Sequence, residues 1–426
     1  MTEPNRREFL GAAAASLALG AVDDRPRPRL AVIATAYHYL SHAYHIVGRF
    51  LDGFPLHDGT GLHRPNFEIA SLFIEQTPAN DLGREKAGRH GVRIAPNVPD
   101  ALTLGTGKLQ VDGVLLIAEH GEYPSNDKLQ KLYPRGRMFR EVLDVLTKFG
   151  RPVPIFIDKH LSYDAAEGRA MYDAARAAKV PLMAGSSLPV TWRLPALEIP
   201  LGLPWREAVV ASRGEIEIFG FHALESLQCM AERRNRRGRP QGVAAVTCLE
   251  GEAVWDAMRK GAFSSQLLDA ALARSHTLNP GDVRQNTRDF VPPPGRPSFL
   301  AVPIAFLLEY ADGFRGAALI LNGHVDDTTF AARIDREVDP IASTLFYLPA
   351  PPGANFFNPL VLRIEDFLKS GRPPYPVERT LLTGGALDAL LESRRQKGRR
   401  IETPDLAGID YEAPVDSGFI RTPLAG

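Results

Sequence analysis

Cysteine and net charge are the two features that this sequence has least of. It contains 2 cysteines among 426 residues, Cys229 and Cys248, which is too few for a disulfide framework. Each lies in an apolar segment, so both are predicted to be buried free thiols. The 50 Lys and Arg residues balance the 50 Asp and Glu residues. A chain without net charge has no general basic field for nucleic acid or a membrane surface, so neither is a predicted partner.

The sequence also lacks an apolar run long enough to span a bilayer. The apolar segment near the N-terminus, 11–21, is too short for a membrane helix. It follows the pair Arg6 and Arg7 and ends in small residues near Gly20, which is typical of a twin-arginine-type export signal. We therefore predict a signal and linker over residues 1–28, a periplasmic mature protein and no stable membrane span.

Residues 29–190 alternate between short apolar runs and segments with helical spacing. The apolar, β-branched runs predict buried strands at 29–36, 67–75, 111–120, 154–157 and 181–187. The helical spacing predicts helices at 40–51, 84–90, 138–150 and 164–178. Strands that alternate with helices indicate βαβ units, so this part is predicted to be a Rossmann-like α/β domain with a parallel sheet.

Residues 191–402 have a different pattern. Several predicted strands are joined by turn-like segments, at 207–214, 242–249, 305–313, 316–323 and 343–348. Helices are predicted at 221–233, 253–260, 265–273 and 377–395, and a long loop at 280–297. This pattern favours an α+β domain on a largely antiparallel sheet, followed by a tail over 403–426.

Two segments carry the residues of greatest chemical interest. Asp158, Lys159 and His160 directly follow a buried strand, and ligand-binding groups of open α/β sheets collect beyond the carboxyl ends of strands. Further along, His222 and Glu225 stand at the start of a predicted helix in the segment FGFHALESLQCM.

The order and spacing of these motifs resemble the Gfo/Idh/MocA family of nicotinamide-dependent oxidoreductases, from about Arg29 to Pro404. Lys159 matches the lysine of the family's Glu-Lys-Pro turn, which serves catalysis there. His222 and Glu225 match the family's His-x-x-Asp/Glu helix start. The helix predicted at 377–395 and the basic residues at its end resemble the family's C-terminal helix.

The resemblance implies an NAD- or NADP-dependent hydride transfer on a sugar, polyol or related hydroxyl compound. Lys159 would orient the reacting oxygen, and His222 would move its proton, because an imidazole titrates near neutral pH. Arg193 and His160 are the candidate substrate-binding residues. By family analogy, an open face of the second sheet makes a homo-oligomer plausible.

The chain departs from the family where the dinucleotide phosphates would bind. That site needs a glycine turn after the first strand, and the three glycine positions fall at Ala34, Ala36 and Tyr39. Tyr39 is expected to crowd the helix against the phosphate. Glu75, at the end of the second strand, is the candidate ribose anchor, and Glu119 is a further candidate for cofactor binding.

An alternative interpretation keeps the fold and replaces the redox chemistry. One helical face would carry His38, His42 and His45, which are four and three residues apart. A different predicted strand is followed by Glu119, His120 and Glu122. Imidazoles and carboxylates are common ligands of divalent metals, so a metal-assisted hydrolase, lyase or isomerase is the second hypothesis. Its metal-ligand candidates are His38, His42, His120 and Glu122. A ligand-binding protein without turnover is a third hypothesis.

Overall fold

The computed structural model describes residues 26–56, 61–335, 340–349 and 353–421. The predicted export signal lies outside the described residues, apart from its last linker positions. In chain order the first half contains β1 (Arg29–Ala34), α1 (His42–Asp52), β2 (Phe54–Pro55), β3 (Leu62–His63), β4 (Glu68–Ile74), α2 (Gly83–His90), β5 (Arg93–Ile94), α3 (Val98–Thr103), β6 (Gly113–Ile117), α4 (Arg135–Phe149), β7 (Ile155–Asp158), α5 (Ala165–Ala177) and β8 (Leu182–Gly185).

The first half forms a parallel six-stranded sheet in the order β5-β4-β1-β6-β7-β8. Its central strands are apolar and buried, because α3, α4 and α5 cover one face while α1 covers the other. The predicted Rossmann-like fold is confirmed. The strand order reverses direction between β1 and β6, and ligands of such sheets bind in the crevice at that point.

The second half contains, in chain order, β9 (Trp192–Leu194), β10 (Trp205–Ser212), α6 (Ile218–Ala231), β11 (Val243–Glu250), α7 (Glu252–Arg259), α8 (Ser265–Leu272), α9 (Val283–Arg288), β12 (Ile304–Tyr310), β13 (Arg315–Ile320), β14 (Thr328–Ile334), β15 (Ile341–Tyr347), α10 (Phe357–Ser370), α11 (Val377–Arg395), β16 (Ile401–Glu402) and α12 (Pro404–Ala407). The prediction of a loop over 280–297 is wrong for the residues that form α9. Asp282 caps this helix by accepting hydrogen bonds from two backbone N–H groups.

The second half builds an eight-stranded sheet in the order β16-β11-β12-β13-β10-β14-β15-β9. Its neighbouring strands are antiparallel except β10 and β13, which are parallel, so the predicted α+β class is confirmed. One face of the sheet packs against α6. On the other face, Trp255 of α7 and Leu267 and Leu268 of α8 cover small strand residues such as Ala317.

Helices α7 and α8 thus cover part of the sheet face on which a homo-oligomer was expected, and the oligomeric state stays a prediction. No helix in the described ranges is long and apolar enough to cross a membrane.

The two halves are joined by two helices that follow β15 and pack back on the first half. Helix α10 packs Phe357, Leu360 and Val361 into the same apolar cluster as residues of α1 and β1. Helix α11 packs against α5, α6 and β11. The carboxyl edge of the parallel sheet is therefore held firmly beside the second domain.

Candidate functional site

A cleft of about 830 Å³ lies at the carboxyl edge of the parallel sheet. Its wall on the first domain comes from the connections that follow β1, β4 and β6. Its opposite wall comes from the second domain, at the start of α6 and in the loop before β12. The lining residues include Ala36, His38, Gln76, Asn80, His120, Glu122, Lys131, Tyr133, Glu217, Arg296 and Ser298. The cleft thus opens at the point where the strand order reverses.

The corner after β6 carries a buried carboxylate between two cations. Glu119 is 3 % exposed, and its Oε1 lies 2.9 Å from Nζ of Lys159. Its Oε2 accepts a hydrogen bond from Arg135, which is also buried. Burial acts to raise the pKa of the Glu119 carboxyl, but the charges of Lys159 and Arg135 outweigh it and hold that pKa well below its usual range. Glu119 is therefore an anion that fixes Lys159, and it is not among the cleft-lining residues.

The corner after β7 places three successive ionisable residues in three different directions. Asp158 is fully buried, and its Oδ2 lies 2.6 Å from Nδ1 of His42. Lys159 adopts a left-handed conformation with φ of 65° and donates its backbone N–H to Gly185, which ties β7 to β8. His160 turns to the second domain, where its Nε2 lies 3.0 Å from Oε1 of Glu217.

The predicted proton-transfer residue His222 lies in the core beside this corner. Its Nδ1 is 3.0 Å from the hydroxyl of Ser186, which donates to the buried Glu225. Burial lowers the pKa of His222 well below its usual value, and the nearby Lys159 and His42 add to this effect. Burial also raises the pKa of Glu225 to about 7. His222 is thus a neutral, hydrogen-bonded group, and it does not line the cleft.

The turn after β1 is pinned by backbone hydrogen bonds to its neighbours. Thr35 donates its N–H to Ile117 of β6, and Tyr37 accepts one from Leu82. Tyr39, the residue expected to crowd the helix against the phosphate, is 53 % exposed and is not among the cleft-lining residues. Tyr37 is the aromatic that enters the interior instead, and its hydroxyl has no hydrogen-bond partner among the described residues. Of the two alanines at glycine positions, Ala36 lines the cleft and Ala34 ends β1.

The candidate ribose anchor is engaged elsewhere. Glu75 forms an ion pair with Arg137 and accepts a hydrogen bond of 2.6 Å from the hydroxyl of Tyr123. The next residue, Gln76, faces the cleft and holds the backbone of Glu122 through its side-chain amide.

The substrate-binding candidate Arg193 lies in the core, away from the cleft. It is 1 % exposed, and its guanidinium donates to the backbone carbonyls of Leu197 and Pro189. Burial lowers the pKa of this guanidinium. Arg193 therefore holds the segment before β10 in place and does not reach a ligand in the cleft.

Three of the predicted metal ligands come together at the cleft. The ring of His120 lies 5.2 Å from the ring of His38 and 5.4 Å from that of His42, between ring centres. His45 is separate, because it stacks on Phe357 of α10 at 4.7 Å. Within the described ranges no group of three or more His, Cys, Asp or Glu side chains is placed to hold a metal ion. The metal hypothesis therefore has no support in this geometry.

Sequence reasoning missed several residues that shape the site. Arg135 neutralises Glu119, and Glu217 and Arg296 bring the second domain to the cleft. Only the segment YPRGR, which runs into the start of α4, offers a signal, as a cluster of aromatic and basic residues. The partners of these side chains lie far away in the chain, and local patterns do not identify them.

Comparison with known proteins supports the fold. The sequence matches no protein-family model and no curated protein. Among solved structures, it is similar to GenD2 from gentamicin A biosynthesis in complex with NAD, at 15 % identity and a TM-score of 0.54, over 89 % of this chain and 97 % of that chain.

Two further structures are similar over nearly the same range. One is an oxidoreductase from Agrobacterium radiobacter in complex with NAD+, L-tartaric acid and magnesium, at 12 % identity and a TM-score of 0.50, over 88 % of this chain and 98 % of that chain. The other is a probable dehydrogenase from Thermotoga maritima, at 13 % identity and a TM-score of 0.50, over 89 % of this chain and 99 % of that chain. At these identities the likeness shows the fold, and the two-domain fold implied by the Gfo/Idh/MocA resemblance is confirmed.

Proposed function

We propose that this protein is an exported oxidoreductase that transfers hydride between NAD or NADP and a hydroxyl group of a sugar, polyol or related compound. The observation that carries the proposal is the large polar cleft at the reversal of strand order, closed on its far side by the second domain. Two of the similar structures contain NAD. The substrate class comes from the family resemblance and agrees with the many polar side chains that line the cleft.

The cleft fits a dinucleotide although its turn has no glycine. Ala36, a residue with a minimal side chain, lines the cleft wall after β1 together with His38. Asn80 presents an amide on the wall after β4, where a ribose would be recognised, beside Gln76, whose own amide is bonded to Glu122. These residues would hold the dinucleotide, which when bound supplies a hydride acceptor or donor.

The chain's own contribution to the chemistry is a fixed cation beside the cleft. Glu119 holds the ammonium of Lys159 at 2.9 Å, and Arg135 keeps Glu119 ionised. A cation fixed in this way stabilises negative charge that develops on a substrate oxygen, because it needs no reorganisation during the reaction. Lys159 is thus proposed to polarise the reacting oxygen, and the role of His222 in moving the proton stays a prediction.

The cofactor assignment is tested by titrating the purified protein with NADH and NADPH and following nicotinamide fluorescence. We expect saturable binding of one of them, with a Kd between about 1 µM and 1 mM. Asn80→Trp should weaken binding at least about tenfold, because an exposed residue on the cleft wall would then fill the space. Lys108→Trp is the control, since this exposed residue precedes β6 and lies toward the opposite edge of the sheet.

Failure of the wild-type protein to bind either dinucleotide would reject the redox proposal. Native mass spectrometry of the same sample, purified without chelator, distinguishes the alternative. A bound divalent metal without dinucleotide would favour a non-redox hydrolase, lyase or isomerase.

Export is proposed from the N-terminal sequence alone. The paired Arg6 and Arg7, the short apolar segment and the small residues that follow are the supporting features. Changing both arginines to lysine should move most of the protein from the periplasmic to the cytoplasmic fraction. Unchanged fractionation would show that this pair does not direct export.

A further inference from the structure

One polar atom on the cleft wall is left without a role by the site described above. Nε2 of His120 is buried and has no hydrogen-bond partner among the described residues. His120 itself lines the cleft. A buried polar atom without a partner is costly, so its position at a binding cleft points to a ligand as the missing partner.

The backbone holds His120 in a demanding conformation. Its φ is 71°, in the left-handed region that residues other than glycine seldom adopt. Gly121 follows with φ of 97°, and a Cβ there would approach Oε1 of Gln76 and the ring of Tyr123 to 2.9 Å. Strain of this kind persists only where the surrounding structure imposes it, and it is concentrated at functional sites.

The surroundings of His120 keep its ring neutral. Burial lowers its pKa to about 3, and the nearby His42, Lys159 and His38 act in the same direction against Glu119. A neutral imidazole has one N–H donor and one acceptor nitrogen, which suits an uncharged hydroxyl group.

His222, the candidate from the family resemblance, has a different environment. Its Nδ1 already has a partner in Ser186, and the residue is absent from the cleft wall. The ring of His120 therefore meets the conditions for ligand contact that His222 does not meet.

We propose that Nε2 of His120 hydrogen-bonds a hydroxyl group of the sugar or polyol bound in the cleft, and that this contact helps to select the substrate. The substrate class rests on the proposed function. His42 is a positioning residue in this arrangement, because its ring packs against His120 and is anchored by the buried Asp158.

The test follows the histidine side chains of the full-length, ¹⁵N-histidine-labelled protein by NMR. The probes are myo-inositol and D-glucose, each titrated first without dinucleotide and then with NADH present. His120→Asn assigns the His120 signal and keeps a residue that tolerates positive φ. We expect at least one probe to shift the ring nitrogen signals of His120 and to leave those of the exposed His276 unchanged.

The same variants give the affinity effect by calorimetry. His120→Asn should weaken binding of that probe about tenfold, since one hydrogen bond is lost and a buried group is left unpaired. His276→Asn should bind it as the wild type does, and thermal melting confirms that both variants are folded.

The outcomes separate this inference from the redox proposal. If a polyol shifts His120 while no dinucleotide binds, the inference stands and the redox function is rejected. If dinucleotide binds but the polyols shift His222 in place of His120, or shift neither up to their solubility limits, the inference is overturned.

Discussion

Replacing Lys159 by alanine should lower kcat/KM for hydride transfer by about 10²- to 10⁴-fold, the range typical of a group that assists charge or proton movement in the transition state. The reason is that Lys159 is the cation that Glu119 fixes beside the cleft, with only 4 % of its side chain exposed. Steady-state kinetics with the preferred dinucleotide and polyol measure the effect. Binding of NADH should change far less, since other residues, among them Ala36 and Asn80, are proposed to hold the dinucleotide.

Two further variants make the Lys159 result interpretable. Lys159→Met keeps an unbranched side chain of similar length without the charge, so it separates electrostatics from packing. Lys148→Ala removes an exposed lysine near the end of α4 and should leave both turnover and melting temperature unchanged. Full turnover in a correctly folded Lys159→Met protein would contradict the role assigned to this residue.

Replacing Arg379 by alanine should destabilise the fold by about 3–5 kcal/mol, because it leaves a buried carboxylate without its cation. Arg379 on α11 is 1 % exposed and donates two hydrogen bonds to Glu232, one of them 2.9 Å from Nε to Oε2. The charge of Glu232 raises the pKa of this guanidinium, against the effect of burial. The pair links α11 to the end of α6 and so joins two helices of the second half.

The midpoint of chemical denaturation, followed by circular dichroism, measures this effect. Arg400→Ala is the matched control, because its pair with Glu309 is about half exposed. Exposed pairs contribute about 1 kcal/mol or less, so the control midpoint should move little. Equal shifts in the two variants would show that the buried pair contributes no more to stability than the exposed pair.

The architecture of both domains could be predicted because its signals are local. Each strand of the first sheet is a short apolar run, and helices with regular apolar spacing separate most of these runs. The same logic predicted most of the antiparallel sheet, although the strands β9, β14 and β16 and the helix α10 were missed. Helix α10 directly follows a proline-rich segment, and its apolar side packs on α1, whose residues lie near the opposite end of the chain. Nothing near Phe357 in the sequence indicates that contact.

The candidate site shows where local patterns stop being informative. Lys159 and Asp158 could be placed at a strand end, since a parallel sheet brings those ends to one edge. Their partners could not be predicted, because Glu119 and His42 belong to other βαβ units. The same limit applies to Arg193, which is equally compatible in sequence with a substrate contact and with the core position that it occupies.

The sequence by itself determined the order of the elements, because hydrophobic periodicity is a property of neighbouring residues. For the same reason it placed ionisable residues at the ends of β6 and β7, since the direction of each strand follows from the local order of the chain. Only the tertiary structure decided which of these residues face the cleft. In the folded protein Glu75 forms an ion pair with Arg137, and His222 is buried against Ser186. Nε2 of His120, a residue of the cleft wall, has no hydrogen-bond partner among the described residues. Burial and hydrogen bonding fix the charge and availability of each group, and both depend on partners that are distant in the chain.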